Sequence, residues 1–149
     1  MSQFFTVVQQ EIYSILNNST ELNAVINGVY DSVPQSEGGE PIPFPYVTLG
    51  EDVYTDMSTD TELINLVSIT IHVWSRYSGR SEIKQIQGII YDLLNRARIT
   101  NENYKFININ QVTAQSQVDS DGETRHGIQT FNLILEELHI GSIHMIKHH

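Results

Sequence analysis

Apolar residues near the start of the chain recur at helical steps. Phe4, Phe5, Val8, Ile12, Ile15 and Leu16 follow at intervals of three and four, which puts them on one face of an opening helix that Asn17-Asn18 ends. Ser19 or Thr20 can cap a second, short helix carrying Leu22, Val25 and Ile26, and Asn27-Gly28 suits the left-handed backbone that closes a helix. The period then changes. Val29-Tyr30 starts an extended segment, and residues 46–54 read as a strand. Residues 63–75 form the strongest strand pattern: Val67, Ile69, Ile71 and Val73 alternate with Ser68, Thr70, His72 and Trp74, so one face is aliphatic and the other mostly polar.

Residues 81–97 return to the helical period, with Ile83, Ile86, Ile90, Leu93 and Ala97 on one stripe and Ile89 and Leu94 beside it. Gly88 within this helix costs about 1 kcal/mol relative to Ala, and marks either a close backbone approach or a tolerated cost. The last third predicts a hairpin: residues 105–118, a turn at Asp119-Ser120-Asp121-Gly122, and residues 123–137. Phe131, Leu133 and Leu135 alternate with Thr130, Asn132 and Ile134 in the second arm. The first arm is mostly Asn, Gln and Ser beyond Ile109, which suits an edge strand or an arm.

These elements predict a single α+β domain. Its sheet is mainly antiparallel or mixed, of four to five strands, packed by the N-terminal helix and one long central helix, with a protruding hairpin. Residues 34–45 contain all four prolines and Gly38-Gly39, so no regular element crosses them. The domain is expected to span residues 1–138, with residues 139–149 a flexible C-terminal tail in which periodicity fades.

Composition narrows the function classes. At 149 residues the chain suits one core, and 40% hydrophobic with 17% charged residues describes a globular protein whose surface must be rich in Asn, Gln, Ser and Thr. A formal charge of −10 repels a phosphate backbone, which argues against sequence-reading nucleic-acid binding, although an acidic wall could surround DNA in a channel without holding it. Cysteine is absent, which removes disulfides, thiol nucleophiles and Cys-based zinc sites. No uncharged apolar run approaches the roughly 18 residues of a membrane span, and no basic leader precedes an apolar segment, so a cytosolic product is expected.

Catalytic chemistry is not signalled. No Gly-x-Ser-x-Gly elbow accompanies His72, His126, His139 or His144, and no phosphate-cradling glycine run is present. Asp119-x-Asp121-Gly122 fails as a calcium loop, because Thr124 and Thr130 occupy the positions that need Gly and the bidentate Glu. No catalytic residue, cofactor or metal ligand is assigned, and the terminal His144, His148 and His149 are read as tail. Two residues keep two readings. His126 is either an exposed strand position or a contact to an acidic patch, and Trp74, beside Arg76 and Tyr77, either packs under a loop or anchors an interface.

Three separated segments carry a resemblance: Pro45-Tyr46-Val47-Thr48-Leu49, Ile71-His72-Val73-Trp74-Ser75-Arg76, and Asp119-Ser120-Asp121-Gly122-Glu123-Thr124-Arg125-His126-Gly127. With Val29-Tyr30-Asp31 ahead of the Pro-rich loop, their order resembles the tail-completion (tail terminator, head-to-tail joining) proteins of long-tailed bacteriophages and prophages. Residues 52–62 form an acidic insertion, and the tail after Glu137 is unmatched.

The resemblance implies a structural virion protein without bond chemistry. It would assemble as a homo-oligomeric ring, usually a hexamer, that caps the tail tube, stops tube growth and meets the head connector protein. DNA would pass through such a ring, no membrane partner is implied, and the location would be the head-proximal end of the tail after assembly in the host cytoplasm. By match to the family's segments, the contact elements are residues 34–45, residues 54–61 and the hairpin tip, with Pro43, Phe44, Tyr46, Asp56, Trp74, Arg76, Asp119, Asp121, Arg125 and His126 as candidate interface residues. Two other readings stand beside it: a head-side connector or tube-associated protein, and a cellular ligand-binding α+β domain, which would need a deep pocket.

Overall fold

The computed structural model describes residues 3–31 and 43–138. Helix α1 spans Phe4–Asn17, α2 Thr20–Asn23 and α3 Ser81–Leu94; strands β1 Val29–Tyr30, β2 Tyr46–Asp56, β3 Leu63–Ser75, β4 Tyr104–Val118 and β5 Arg125–Glu137 make one sheet in the order β1-β2-β3-β5-β4. The sheet is mixed because β1 runs parallel to β2 while every other pairing is antiparallel. The α+β expectation holds, and the polar first arm of the hairpin is the edge strand.

Helices cover one face of the sheet. Val67, Ile69, Ile71 and Val73 of β3 and Phe131, Leu133 and Leu135 of β5 point into the core and meet Val8, Ile12 and Leu16 of α1 and Ile83, Ile86, Ile90 and Leu94 of α3. Burying each such side chain contributes about 1.5–3 kcal/mol, which is what holds two short helices that would be marginal alone. The opposite face, with Ser68, Thr70, His72 and Trp74, stays half-exposed.

Four details depart from the sequence pattern. In α1 the buried stripe is Phe4, Val7, Val8, Ile12 and Leu16, whereas Phe5 is 66% exposed and lies edge-on to Tyr54 of β2, with 4.9 Å between ring centroids. Ser19 caps α2 by accepting a hydrogen bond from the Leu22 N–H, but neither Asn27 nor Gly28 takes a left-handed backbone. The Asn27 side chain instead donates to the carbonyls of Phe44 and Pro45, tying the segment ahead of β1 to the end of the Pro-rich loop.

The third departure is the end of α3, which stops at Leu94 and leaves Ala97 beyond the helix. There β4 takes over the backbone: the Arg96 N–H donates to the Ile109 carbonyl at 2.6 Å, and the Asn95 side chain accepts from the Gln111 N–H at 2.8 Å. Tertiary hydrogen bonds override a continuing helical pattern, at the cost of a left-handed Arg96 (φ 61°). The fourth departure is that β2 runs two residues past Tyr54, to Asp56. Residues 32–42, most of the Pro-rich loop, and residues 139–149, the expected tail, lie outside the described residues.

The close approach of helix to sheet occurs at Gly127 rather than at Gly88. A Cβ on Gly127 would sit 2.7 Å from the Gln87 side-chain nitrogen and 3.0 Å from the Ile83 Cγ2, while one on Gly88 would meet nothing within 4 Å. Gly88→Ala is therefore expected to raise the unfolding free energy by about 0.5–1 kcal/mol. Gly127→Ala should lower it, because the Gln87 amide must give up its hydrogen bond to the Gln115 carbonyl and Ile83 must give by a few tenths of an ångström. Urea denaturation of the two variants against wild type checks both signs.

Candidate functional site

The end of the sheet where β2 and β5 begin and β3 stops carries an aromatic row. Register places Tyr46 beside Trp74 and Trp74 beside His126, on the face away from the helices. Side chains directly opposite on neighbouring strands touch, so the row is a consequence of register. The rings of Trp74 and His126 stack with centroids 3.8 Å apart and planes 11° from parallel. Tyr46 lies on the other side of Trp74 at 6.4 Å and is itself flanked by Phe44 at 5.1 Å and Tyr30 at 6.0 Å. The Trp74 indole N–H donates to the Thr48 hydroxyl at 3.0 Å, so the ring is fixed at its polar end as well.

His72 precedes Trp74 by two positions and therefore shares its face. Its Nδ1 is 2.6 Å from the His126 Nε2, and its Nε2 is 2.9 Å from a Glu51 carboxylate oxygen. Hydrogen-bond logic fixes the neutral tautomers. Ionised Glu51 only accepts, so His72 carries its proton on Nε2; His72 Nδ1 must then accept from the His126 Nε2–H. That leaves the His126 Nδ1 lone pair facing the Asp119 carboxylate, 3.8 Å away. Burial and the neighbouring His72 push the His126 pKa down, against the opposing pull of Asp119 and Glu51. Hydrogen bonding from His72 lowers the pKa of Glu51.

The hairpin turn closes the same end. Gly122 takes φ 76°, and Asp121 accepts from the N–H groups of Glu123 and Thr124 at 2.8 Å each and from the Thr124 hydroxyl at 2.6 Å. Those bonds hold the Asp121 pKa down to about 2. Arg76, one residue past β3, binds the turn to the Pro-rich loop. Its guanidinium carbon lies 4.7 Å over the Phe44 ring, its Nε donates to Thr124 Oγ1 at 3.2 Å, and it is 3.7 Å from the Asp121 carboxylate. Arg125 donates to the Ser78 carbonyl at 2.9 Å.

Of the ten candidate residues, Phe44, Tyr46, Trp74, Arg76, Asp119, Asp121 and His126 converge on this patch. Arg125 stands at its margin, and Pro43 is exposed beside Phe44. Asp56 lies apart, on the β2–β3 hairpin at the opposite end of the sheet. His126, left open between an exposed position and a contact, is half-buried in the stack. The sequence reading missed His72, Glu51, Thr48 and Thr124 as members. Alternation alone put His72 on the face of Trp74, and Asp-x-x-Thr is a turn signature for Thr124.

Two other concavities are open grooves, one of about 520 Å³ between α1 and β1 and one of about 650 Å³ between the end of α3 and the start of β4. A cavity of about 90 Å³ between α1 and the β2 bulge, lined by Val8, Ile12, Leu49 and Ile71 among others, is well below the roughly 300 Å³ of a small-molecule pocket. Among the described residues no His, Asp and Glu group of three or more is arranged to hold a metal ion, and no helix is long and apolar enough to cross a membrane.

Comparison with known proteins decides the family. Residues 10–136 match the family described as Tail completion protein gp17. The chain belongs to the gp17 tail completion family. It is thus a phage tail completion protein, a structural component of the virion. It is 27% identical over 121 residues to the Tail completion protein gp17 of Bacillus phage SPP1, covering 81% of this chain and 86% of that one. The solved structure of bacteriophage SPP1 gp17 superposes with a TM-score of 0.58 at 25% identity, covering 89% of this chain and 94% of the other. A chain from the virion of a native gene transfer agent particle shares the fold, with a TM-score of 0.75 at 21% identity over 89% of this chain and 98% of that one.

A pH prediction follows for this gp17 relative. The folded His126 pKa lies below its ordinary value of 6.5. Between those two values the unfolded chain binds a proton that the folded chain does not, so stability falls as pH drops from about 6.5 toward the folded value. His126→Gln should remove that part of the slope in thermal melts across pH 7.5 to about 5. Trp74, the sole tryptophan, should report the same protonation by fluorescence.

Proposed function

We propose that this tail completion protein works as a homo-oligomeric ring of six that caps the tail tube, stops its growth and joins the tail to the head connector, by binding alone and without catalysis. The observation that carries the reading is the convergence of three sequence-distant segments at one end of the sheet: the end of the Pro-rich loop at Phe44, the β3 end at Trp74-Ser75-Arg76, and the Asp119–Gly122 turn. Aromatic and Arg side chains on a fixed support are the usual anchors of protein interfaces. This end docks on the tail tube protein or on the head connector protein. Residues 1–138 act as the docking domain and residues 139–149 as an appended tail. The ring belongs at the head-proximal end of the tail and is assembled in the host cytoplasm, with DNA passing through its acidic channel without specific contact.

Light scattering after size exclusion, over a concentration series, tests the ring: a closed species near 102 kDa, six copies of 17.0 kDa, is expected. Arg76→Glu tests the docking end. Arg76 is 51% exposed in its side chain, so its ion pair, its hydrogen bond to Thr124 and its contact with the Phe44 ring are each worth about 1 kcal/mol or less, and the melting temperature should fall by no more than about 10 °C with the fold kept. Particles assembled with Arg76→Glu should nevertheless accumulate as unjoined heads and tails under the electron microscope. Normal virion yield with this variant would remove the docking end from the mechanism.

A further inference from the structure

All eight Lys and Arg residues lie at or after Arg76; residues 1–75 hold ten acidic residues and no basic one, and residues 76–149 hold eight of each. The whole net charge of −10 therefore belongs to the half that builds α1, α2 and β1 to β3. Three of the eight cations, Arg96, Arg98 and Lys105, gather in an open groove of about 650 Å³ between the end of α3 and the start of β4. The other lining residues, including Ile99, Phe106 and Ile107, are apolar or neutral, so the groove contains no carboxylate. All three cations are exposed, and among the described residues none of them makes an ion pair within 4.0 Å.

The acidic counterpart is the β2–β3 hairpin, with Asp56, Asp60 and Glu62 around an exposed Met57. Its tip is rigid. Met57 N–H donates to the Ile64 carbonyl at 2.8 Å, Asp56 accepts from the Ser58 N–H at 2.9 Å, and Thr59 Oγ1 accepts from the Glu62 N–H at 3.1 Å. The groove is equally fixed, by the Arg96–Ile109 and Asn95–Gln111 hydrogen bonds and by a bulge at the left-handed Asn108 (φ 53°).

Register shows why tip and groove do not satisfy each other within one copy. Asp56 pairs with Asn65, Ile64 with Glu136, and Glu136 with Lys105, so tip and groove lie at the same end of the sheet. Three strand spacings, about 14 Å, separate β2 from β4 there. Two complementary surfaces at one height on opposite lateral edges are what a closed head-to-tail ring requires. We propose that the acidic β2–β3 tip of one copy docks into the Arg96–Arg98–Lys105 groove of the next, with Met57 against the groove's apolar floor. This rests on the ring reading above and adds its lateral contact.

Charge reversal tests it. A tip variant (Asp56→Lys, Asp60→Lys, Glu62→Lys) and a groove variant (Arg96→Glu, Arg98→Glu, Lys105→Glu) each juxtapose like charges. Each should raise the concentration needed for self-association about tenfold or more at low salt. The protein carrying all six changes should regain association, and circular dichroism checks that every variant is folded. Wild type that associates while both single-surface variants associate equally well overturns this contact and leaves the ring standing. Loss in both variants without recovery in the six-fold variant also overturns it. Wild type that stays monomeric to high micromolar concentration overturns the ring reading, and this contact with it.

Discussion

The pairing of β3 with β5 is the constraint on which the remaining structure depends. Thirteen consecutive rungs join them without a bulge, from Leu63 with Glu137 to Ser75 with Arg125. Side chains alternate between faces with a period of two, so a slip of one residue would turn Val67, Ile69, Ile71 and Val73 out to solvent and carry Trp74 into the core. The same register sets Trp74 against His126. The hydrophobic requirement that fixes the core therefore also fixes the aromatic row on the opposite face. Neighbouring pairs tolerate irregularity: β2 bulges between Leu49 and Asp52, and β4 shifts twice. Both lie outside the central pair, where a bulge disturbs less burial and blunts an edge against uncontrolled pairing.

Much of the fold was legible because burial is periodic. The aliphatic face of β3, the inward row of β5, the Ser19 cap and the Asp-Gly turn follow from local chemistry, and each appears where the pattern put it. What failed depended on partners distant in sequence. Ala97 continues a helical stripe, but helix α3 ends where the backbone of β4 offers better hydrogen bonds to Asn95 and Arg96. Phe5 is as apolar as Phe4, yet only one of them can face the core, and Val7 is buried while Ile15 packs at the core's margin. Gly127 shows the same limit from the other side. Nothing in a strand pattern says that a helix will press on that position.

The candidate site was legible in membership more than in geometry. Seven of its residues came from segments recognised as units, and their convergence needed the sheet to bring Phe44, Arg76 and Asp121 together. The imidazole pair was hidden for a physical reason: His72 and His126 are 54 residues apart, and only their diagonal placement on adjacent strands puts two ring nitrogens at 2.6 Å. Once they pair, the neighbouring His72 adds to the burial that pushes the His126 pKa down. The chain from Glu51 through His72 ends at the His126 Nδ1, which faces the first residue of the hairpin turn, Asp119.

The two ends of the sheet thus differ in kind. At one end stacked rings and a half-buried imidazole pair are bound in by partnered charged and polar groups, Arg76 with Asp121 and His72 with Glu51. At the other, acidic and basic side chains are held apart on separate edges of one rigid sheet. For a protein of charge −10 this separation matters, since copies repel one another at distances beyond their contacts and salt screens that repulsion beyond about 8–10 Å. Short-range pairing between unlike edges survives such screening better than the long-range repulsion does. Random collisions are thereby disfavoured, and the approach that brings an acidic edge to a basic one is favoured. In the proposed ring, the direction of association would follow from where the charges sit along the strand order, with no need for a large apolar patch that would make the free subunit sticky.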